Sequence, residues 1–157
     1  MKVLSIFKFI PICNPLFGAR SLRGGSEYSS IEYKDTIPFV FPLTFGKVLK
    51  VYDGDTITIA SKLPYDKSPC YRFSVRLAGI DSAEIKGKTQ AEKDLAILAR
   101  DALADLIIGK VIRLENVKNE KYGRVLADVY LDELNVNNWM LERGFAVKYD
   151  GGTKSGW

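Results

Sequence analysis

Hydrophobic and polar positions alternate through "CYRFSVRLAGI", residues 70–80. Tyr71, Phe73, Val75 and Leu77 fall on one side of that stretch, and Arg72, Ser74 and Arg76 on the other. This period of two marks a half-buried strand. "KVLKVY" at 47–52 and "TITIA" at 56–60 predict two more strands, hinged on Asp53-Gly54, a dipeptide with strong turn preference. "KVIRLE" at 110–115 and "RVLADVYL" at 124–131 predict another pair, joined through "NVKNEKYG". Between them the period becomes helical over 89–108, with Thr89 placed to cap the start and Gly109 the end. Leu95, Leu98, Ala102 and Leu106 form its expected apolar stripe. A shorter helix is expected over "NVNNWMLERG", closing at Gly144, and a loop from Tyr149 onward.

Five strands with a long helix between the third and fourth, plus a short C-terminal helix, predict an α+β protein built on an OB-fold β-barrel. That barrel hosts binding and catalysis alike, so it does not give a function. The dense pattern sets expected boundaries: an extension over 1–42, a domain over 43–150 and a tail over 151–157. The first 26 residues carry Lys2, Lys8, Arg20 and Arg23 and no acid. Their apolar run is interrupted by Lys8 and broken at Pro11 and Pro15, so no membrane span is expected. A secretory or organellar targeting segment and a loosely attached extension both remain open readings.

Composition narrows the chemistry. Apolar residues make up 46% and charged residues 27%, as in ordinary soluble domains, and the net charge of +4 permits a polyanionic partner without requiring one. The chain has no histidine. Ser-His-Asp and Cys-His pairs and histidine-ligated zinc are therefore excluded, leaving carboxylates, Lys, Tyr or metal-bound water for acid–base work. Cys13 and Cys70 are too few for a thiolate metal site or a disulfide framework.

Three charged segments stand apart: "DGDT" at 53–56, "RLAGIDSAE" at 76–84 and "KYGR" at 121–124. Each has an ordinary explanation taken singly, as a turn, a solvated strand face or a hairpin loop. Taken together, in this order and spacing, they resemble the staphylococcal nuclease family over residues 46–149. The resemblance implies a calcium-dependent nuclease that hydrolyses phosphodiester bonds of DNA and RNA, prefers single strands and leaves 3′-phosphate ends. It implies Asp55, Asp81 and the carbonyl of Ser82 as Ca²⁺ ligands, and Arg76, Arg124 and Glu84 as catalytic residues. It further implies Lys121 and Tyr122 as phosphate contacts, with Tyr149 standing in for a base-stacking aromatic. A monomer is expected.

The chemistry of these residues agrees with those roles. Carboxylates and a carbonyl are hard-oxygen donors suited to Ca²⁺, and a cation there relieves the repulsion between acids crowded around Gly54. Arginine forks donate paired hydrogen bonds to phosphoryl oxygens in a way lysine cannot. Ala83 replaces the family's proline before the glutamate, and the family's final helix has no counterpart, which leaves base preference open. Two further readings stay in view. One is a nuclease-like binding module without catalysis. The other is an OB-fold binder using basic and aromatic surface, disfavoured by weak charge and few aromatics outside the expected core.

Overall fold

The computed structural model describes residues 28–87, 89–149 and 151–152, the Tyr122 side chain excepted. Cys13 and the possible targeting segment lie outside the described residues. In chain order the elements are β1 (Phe45–Val51), β2 (Thr56–Lys62), β3 (Cys70–Leu77), β4 (Ile80–Ser82), α1 (Gln90–Ile107), β5 (Val111–Asn119), β6 (Val125–Leu131), β7 (Leu134–Asn135), α2 (Val136–Glu142) and β8 (Ala146–Lys148). Residues 28–38 contain one short 3₁₀ turn, Tyr33–Asp35, and the compact unit begins at Phe39. Among the described residues no helix is long and apolar enough to cross a membrane.

The strand order β3-β2-β1-β5-β6 closes through a parallel pairing of Val75–Leu77 with Val125–Ala127. The result is a five-stranded mixed barrel with two helices, the α+β OB-fold class the pattern predicts. Closure of so few strands needs strong coiling, and register shifts in β1 (between Val48 and Lys50) and β5 (between Glu115 and Lys118) supply it. Inward residues fill the barrel: Ile57, Ile59, Val75, Leu77, Leu103, Ile107, Ile112 and Met140 are all essentially inaccessible. Each such side chain contributes about 1.5–3 kcal/mol of transfer free energy, so the interior rather than local propensity fixes the arrangement.

Helix α1 begins as expected, with the Thr89 hydroxyl accepting from the Glu92 amide, and Gly109 follows its end at φ +73°. Its buried face differs from the expected stripe. Ala96, Ala99, Leu103 and Ile107 point inward, whereas Leu95 is 47% and Leu98 55% exposed. The two faces lie roughly a quarter-turn apart on the 3.6-residue helix. On the buried face Ala99 passes close to Gly54, where a small side chain fits, while Leu103 and Ile107 join the core.

One buried amide ties the second helix to the strand ends near the charged segments. Asn137 accepts from the Val129 amide at 3.0 Å and donates to the Ala78 carbonyl at 2.8 Å. Ala78 in turn donates its amide to Ala127, so the turn after β3 is held from two sides.

Candidate active site

Strand register brings the first two charged segments together. Thr56 stands opposite Arg76 in the β2–β3 ladder, and the Asp55 carbonyl accepts from the Leu77 amide at 2.8 Å. After the turn at Gly79, β4 pairs with β8 with Asp81 opposite Val147, which fixes Asp81 beside Asp55. Asp55, Asp81 and Ser82 are all buried, at 2%, 2% and 3% exposure. The Ser82 amide donates to Asp55 Oδ2 at 3.3 Å, and the Thr56 hydroxyl donates to Asp55 Oδ1 at 2.8 Å.

Arg76 joins the two carboxylates. Its Nη2 lies 2.8 Å from Asp55 Oδ2 and 2.8 Å from Asp81 Oδ1. Two buried carboxylates thus converge on one positive nitrogen, which is the geometric requirement for sharing a cation. Burial, and then the neighbouring Asp53, push the Asp55 carboxyl up to about 7, against the opposing pull of Arg76 and Thr56. For Arg76 burial favours the neutral form, but Asp55, Asp81 and Glu120 outweigh it and raise the pKa. Among the described residues no group of three or more acidic, histidine or cysteine side chains gathers around one point. The donor set is therefore the two carboxylates of Asp55 and Asp81, hard-oxygen donors that fit a calcium-like ion completed by further oxygen ligands and water.

Gly54 has a reason to be glycine that the turn reading misses. Its φ is not positive; instead, a Cβ there would lie 2.8 Å from both Ala99 Cβ and Ser82 Cβ. The local turn is held by the Asp53 side chain, whose Oδ1 accepts from the Asp55 amide at 3.2 Å. Gly54→Ala should therefore destabilise the fold by about 1–3 kcal/mol, the usual cost of overpacking. It should also displace Asp55, which follows Gly54 directly. A thermal melt matching wild type would show that α1 and β4 yield freely there.

The third segment forms the neck and tip of the β5–β6 hairpin. Asn119 pairs with Val125, the Glu120 amide donates to the Arg124 carbonyl at 2.8 Å, and Gly123 takes φ +75° in the 3₁₀ turn between them. A cavity of about 390 Å³ is lined by Asp55, Arg76, Ser82, Glu84, Lys121, Arg124 and Tyr149, with Asp53, Tyr52, Ile85, Lys86 and Glu120 completing it. Asp81 is linked to it through Arg76. The Tyr122 side chain lies outside the described residues. Lys121 and Tyr149 also line a second cavity of about 680 Å³ beside the first, and the Tyr149 hydroxyl donates to the Gly152 carbonyl at 2.9 Å.

Two features were not legible in the motifs. Glu120 reaches both arginines, contacting Arg124 Nε at 2.6 Å and Arg76 Nε at 3.9 Å. Its only sequence signal is a spacing of four from Arg124 around a glycine-containing loop. Aromatic exposure also exceeds expectation: Tyr52 on the cavity rim, Tyr65, Tyr71 and Phe45 are 53%, 51%, 39% and 54% exposed. Cys70 is an exposed free thiol.

A family model described as staphylococcal nuclease homologue matches residues 74–155. An uncharacterized endonuclease of Escherichia coli is 33% identical over 106 residues, covering 67% of this chain and 61% of its own length. An uncharacterized endonuclease of Haemophilus influenzae is 36% identical over 103 residues, covering 66% and 51% respectively. The staphylococcal-like nuclease CAN1 of Arabidopsis thaliana is 33% identical over 78 residues, half of this chain and 22% of its own. The chain thus spans only about half to three-fifths of the length of the bacterial relatives.

Proposed function

The chain belongs to the staphylococcal nuclease homologue family, and from that premise we propose that it is a calcium-dependent nuclease hydrolysing phosphodiester bonds of DNA and RNA. The observation that carries this reading is the convergence of Asp55 and Asp81 on one Arg76 nitrogen, beside a cavity that also holds Arg124 and Glu84. Asp55, Asp81 and the Ser82 carbonyl would hold the Ca²⁺, which supplies charge neutralisation to a bound phosphodiester. Arg76 and Arg124 donate to phosphoryl oxygens as negative charge grows on them. Glu84 orients the attacking water and takes its proton. Lys121 adds a point charge for a flanking phosphate, and Tyr149, between the two cavities, offers a ring to a base. Loss of the 5′-oxygen as leaving group gives 3′-phosphate ends. The openness of a hairpin-tip site suits single strands, and one domain with its own core suits a monomer.

Digestion of a single-stranded oligonucleotide with Ca²⁺, with Mg²⁺ and with chelator tests the reading. Cleavage should require Ca²⁺, and its products should block polymerase extension until treated with phosphatase. Full activity in chelator, or activity with Zn²⁺ alone, would overturn it. A non-catalytic binding module is the competing reading, favoured by the exposed Tyr52 on the cavity rim; it requires oligonucleotide retention with no cleavage under any cation.

The raised Asp55 carboxyl gives a second signature. A site that needs the carboxylate must expel the proton held below about pH 7. Calcium binding at pH 6 should therefore release close to one proton, and at pH 8.5 almost none. Titration calorimetry in two buffers of different ionisation enthalpy measures this directly. Proton release that is equal at the two pH values would remove Asp55 from the ligand set.

A further inference from the structure

Resting on the nuclease reading, we propose that Glu120 is a positioning residue that holds the Arg124 guanidinium, and through it the pair of arginines, in the orientation that receives a phosphodiester. A carboxylate inside a phosphate-binding cavity opposes the substrate, since like charges at close range repel, and more strongly where water is thinned out. Its presence among Arg76, Lys121 and Arg124 therefore calls for a compensating role. The geometry supplies one. Glu120 and Arg124 face each other across the neck of the β5–β6 hairpin, one step beyond the Asn119–Val125 pair.

The contact is side-on, one hydrogen bond beside one close charge contact. Glu120 Oε2 lies 2.6 Å from Arg124 Nε, and Arg124 Nη2 donates to Glu120 Oε1 at 2.9 Å. Oε2 and Nε are both shut off from solvent and neither has an aligned hydrogen bond, so they meet as a close charge contact. A guanidinium has two edges able to make paired hydrogen bonds, Nε/Nη2 and Nη1/Nη2. Glu120 lies against the first, hydrogen-bonded through Nη2 with Nε in close charge contact, which leaves the second as the edge for phosphoryl oxygens. The same Oε1 stands 3.9 Å from Arg76 Nε, while Arg76 Nη2 is already committed to Asp55 and Asp81. One carboxylate thus sets the relative placement of both forks. Arginine side chains carry large rotamer freedom, and freezing them before substrate arrives removes that cost from the transition state.

The test compares wild type with Glu120→Gln and Glu120→Asp in kcat, KM and thermal melt, on a short single-stranded oligonucleotide at saturating Ca²⁺. Glu120→Gln should fold and lose about 10–100-fold in kcat, the scale of a misplaced catalytic group. Its KM should stay level or fall, because a repulsive charge has gone. Glu120→Asp keeps the charge but lacks the reach, and should recover only part of the loss. Wild-type kcat in folded Glu120→Gln, or a raised KM as the main effect, overturns the proposal. A second readout does not depend on turnover: the Arg124 Nε–H NMR signal, assigned by its absence in Arg124→Lys. It should exchange slowly with solvent in wild type and rapidly in Glu120→Gln. Equal protection in both overturns the proposal. If wild type cleaves nothing under any cation, the nuclease reading fails by itself, and this exchange still decides whether Glu120 holds Arg124.

Discussion

Replacing Arg76 with alanine should cost the folded protein about 3–5 kcal/mol at pH 8 in chelator, the usual penalty for removing one partner of a buried ion pair. The side chains of Asp55 and Asp81 are each 3% exposed, and Arg76 Nη2 is 2.8 Å from both. Without it two buried carboxylates face each other and lose the guanidinium they share. The loss should depend on pH with a definite sign. Asp55 is already raised from 3.8 to about 7 by burial and Asp53, and Arg76 is the leading influence holding it down. A carboxyl raised in the fold keeps a proton that the unfolded chain has released. Its contribution is therefore most favourable below the unfolded value and is lost as pH rises through the folded one. Removing Arg76 moves the folded value further up, so the variant should lose much more stability at pH 8 than at pH 5.5, where Asp55 can stay neutral. Urea melts at the two pH values, with chelator present, measure the difference. An equal loss at both, or none at pH 8, would mean the three groups are not coupled as their geometry says. Activity should also fall by at least ~10²-fold, as for loss of one preorganised transition-state donor.

Glu84→Gln should show the largest kinetic loss, ~10²–10⁴-fold in kcat, because it keeps the size and polarity of the side chain and removes the proposed base. Glu84 lines the cavity that Asp55, Arg76 and Arg124 share. Its chain segment is anchored on one side by β4 and closed on the other by the Gly87 amide donating to the Glu84 carbonyl at 2.8 Å. Arg124→Lys, which keeps charge and loses the fork, should cost at least ~10²-fold by the same measurement. Both losses should appear in kcat with little change in KM, since the interactions strengthen only in the transition state. Near wild-type kcat in either folded variant would place the chemistry on other residues and move the binding-module reading ahead.

The alternation of 70–77 and the β-branched runs at 47–51 and 56–60 were enough to give strands, because a strand with one buried face has a side-chain period of two whatever its neighbours are. Thr89 and Gly109 marked the ends of α1 for an equally local reason: each satisfies or releases backbone groups within one turn of itself. The three charged segments were legible as a set in their order and spacing. What the chain could not announce was anything decided by approach distance between elements remote in sequence. Both apolar stripes of α1 satisfy the helical period, and the choice between them comes from packing against the rest of the fold, where Ala99 meets the Gly54 turn and Leu103 and Ile107 enter the core. Gly54 itself reads as a turn residue, yet the constraint on it comes from residues 28 and 45 positions away. The link from Asp55 to Arg76, and from Arg76 to Glu120, likewise depends on strand register and on where the barrel closes. Periodicity and capping are set within a few residues, whereas packing contacts and charge pairing exist only once distant segments share a surface.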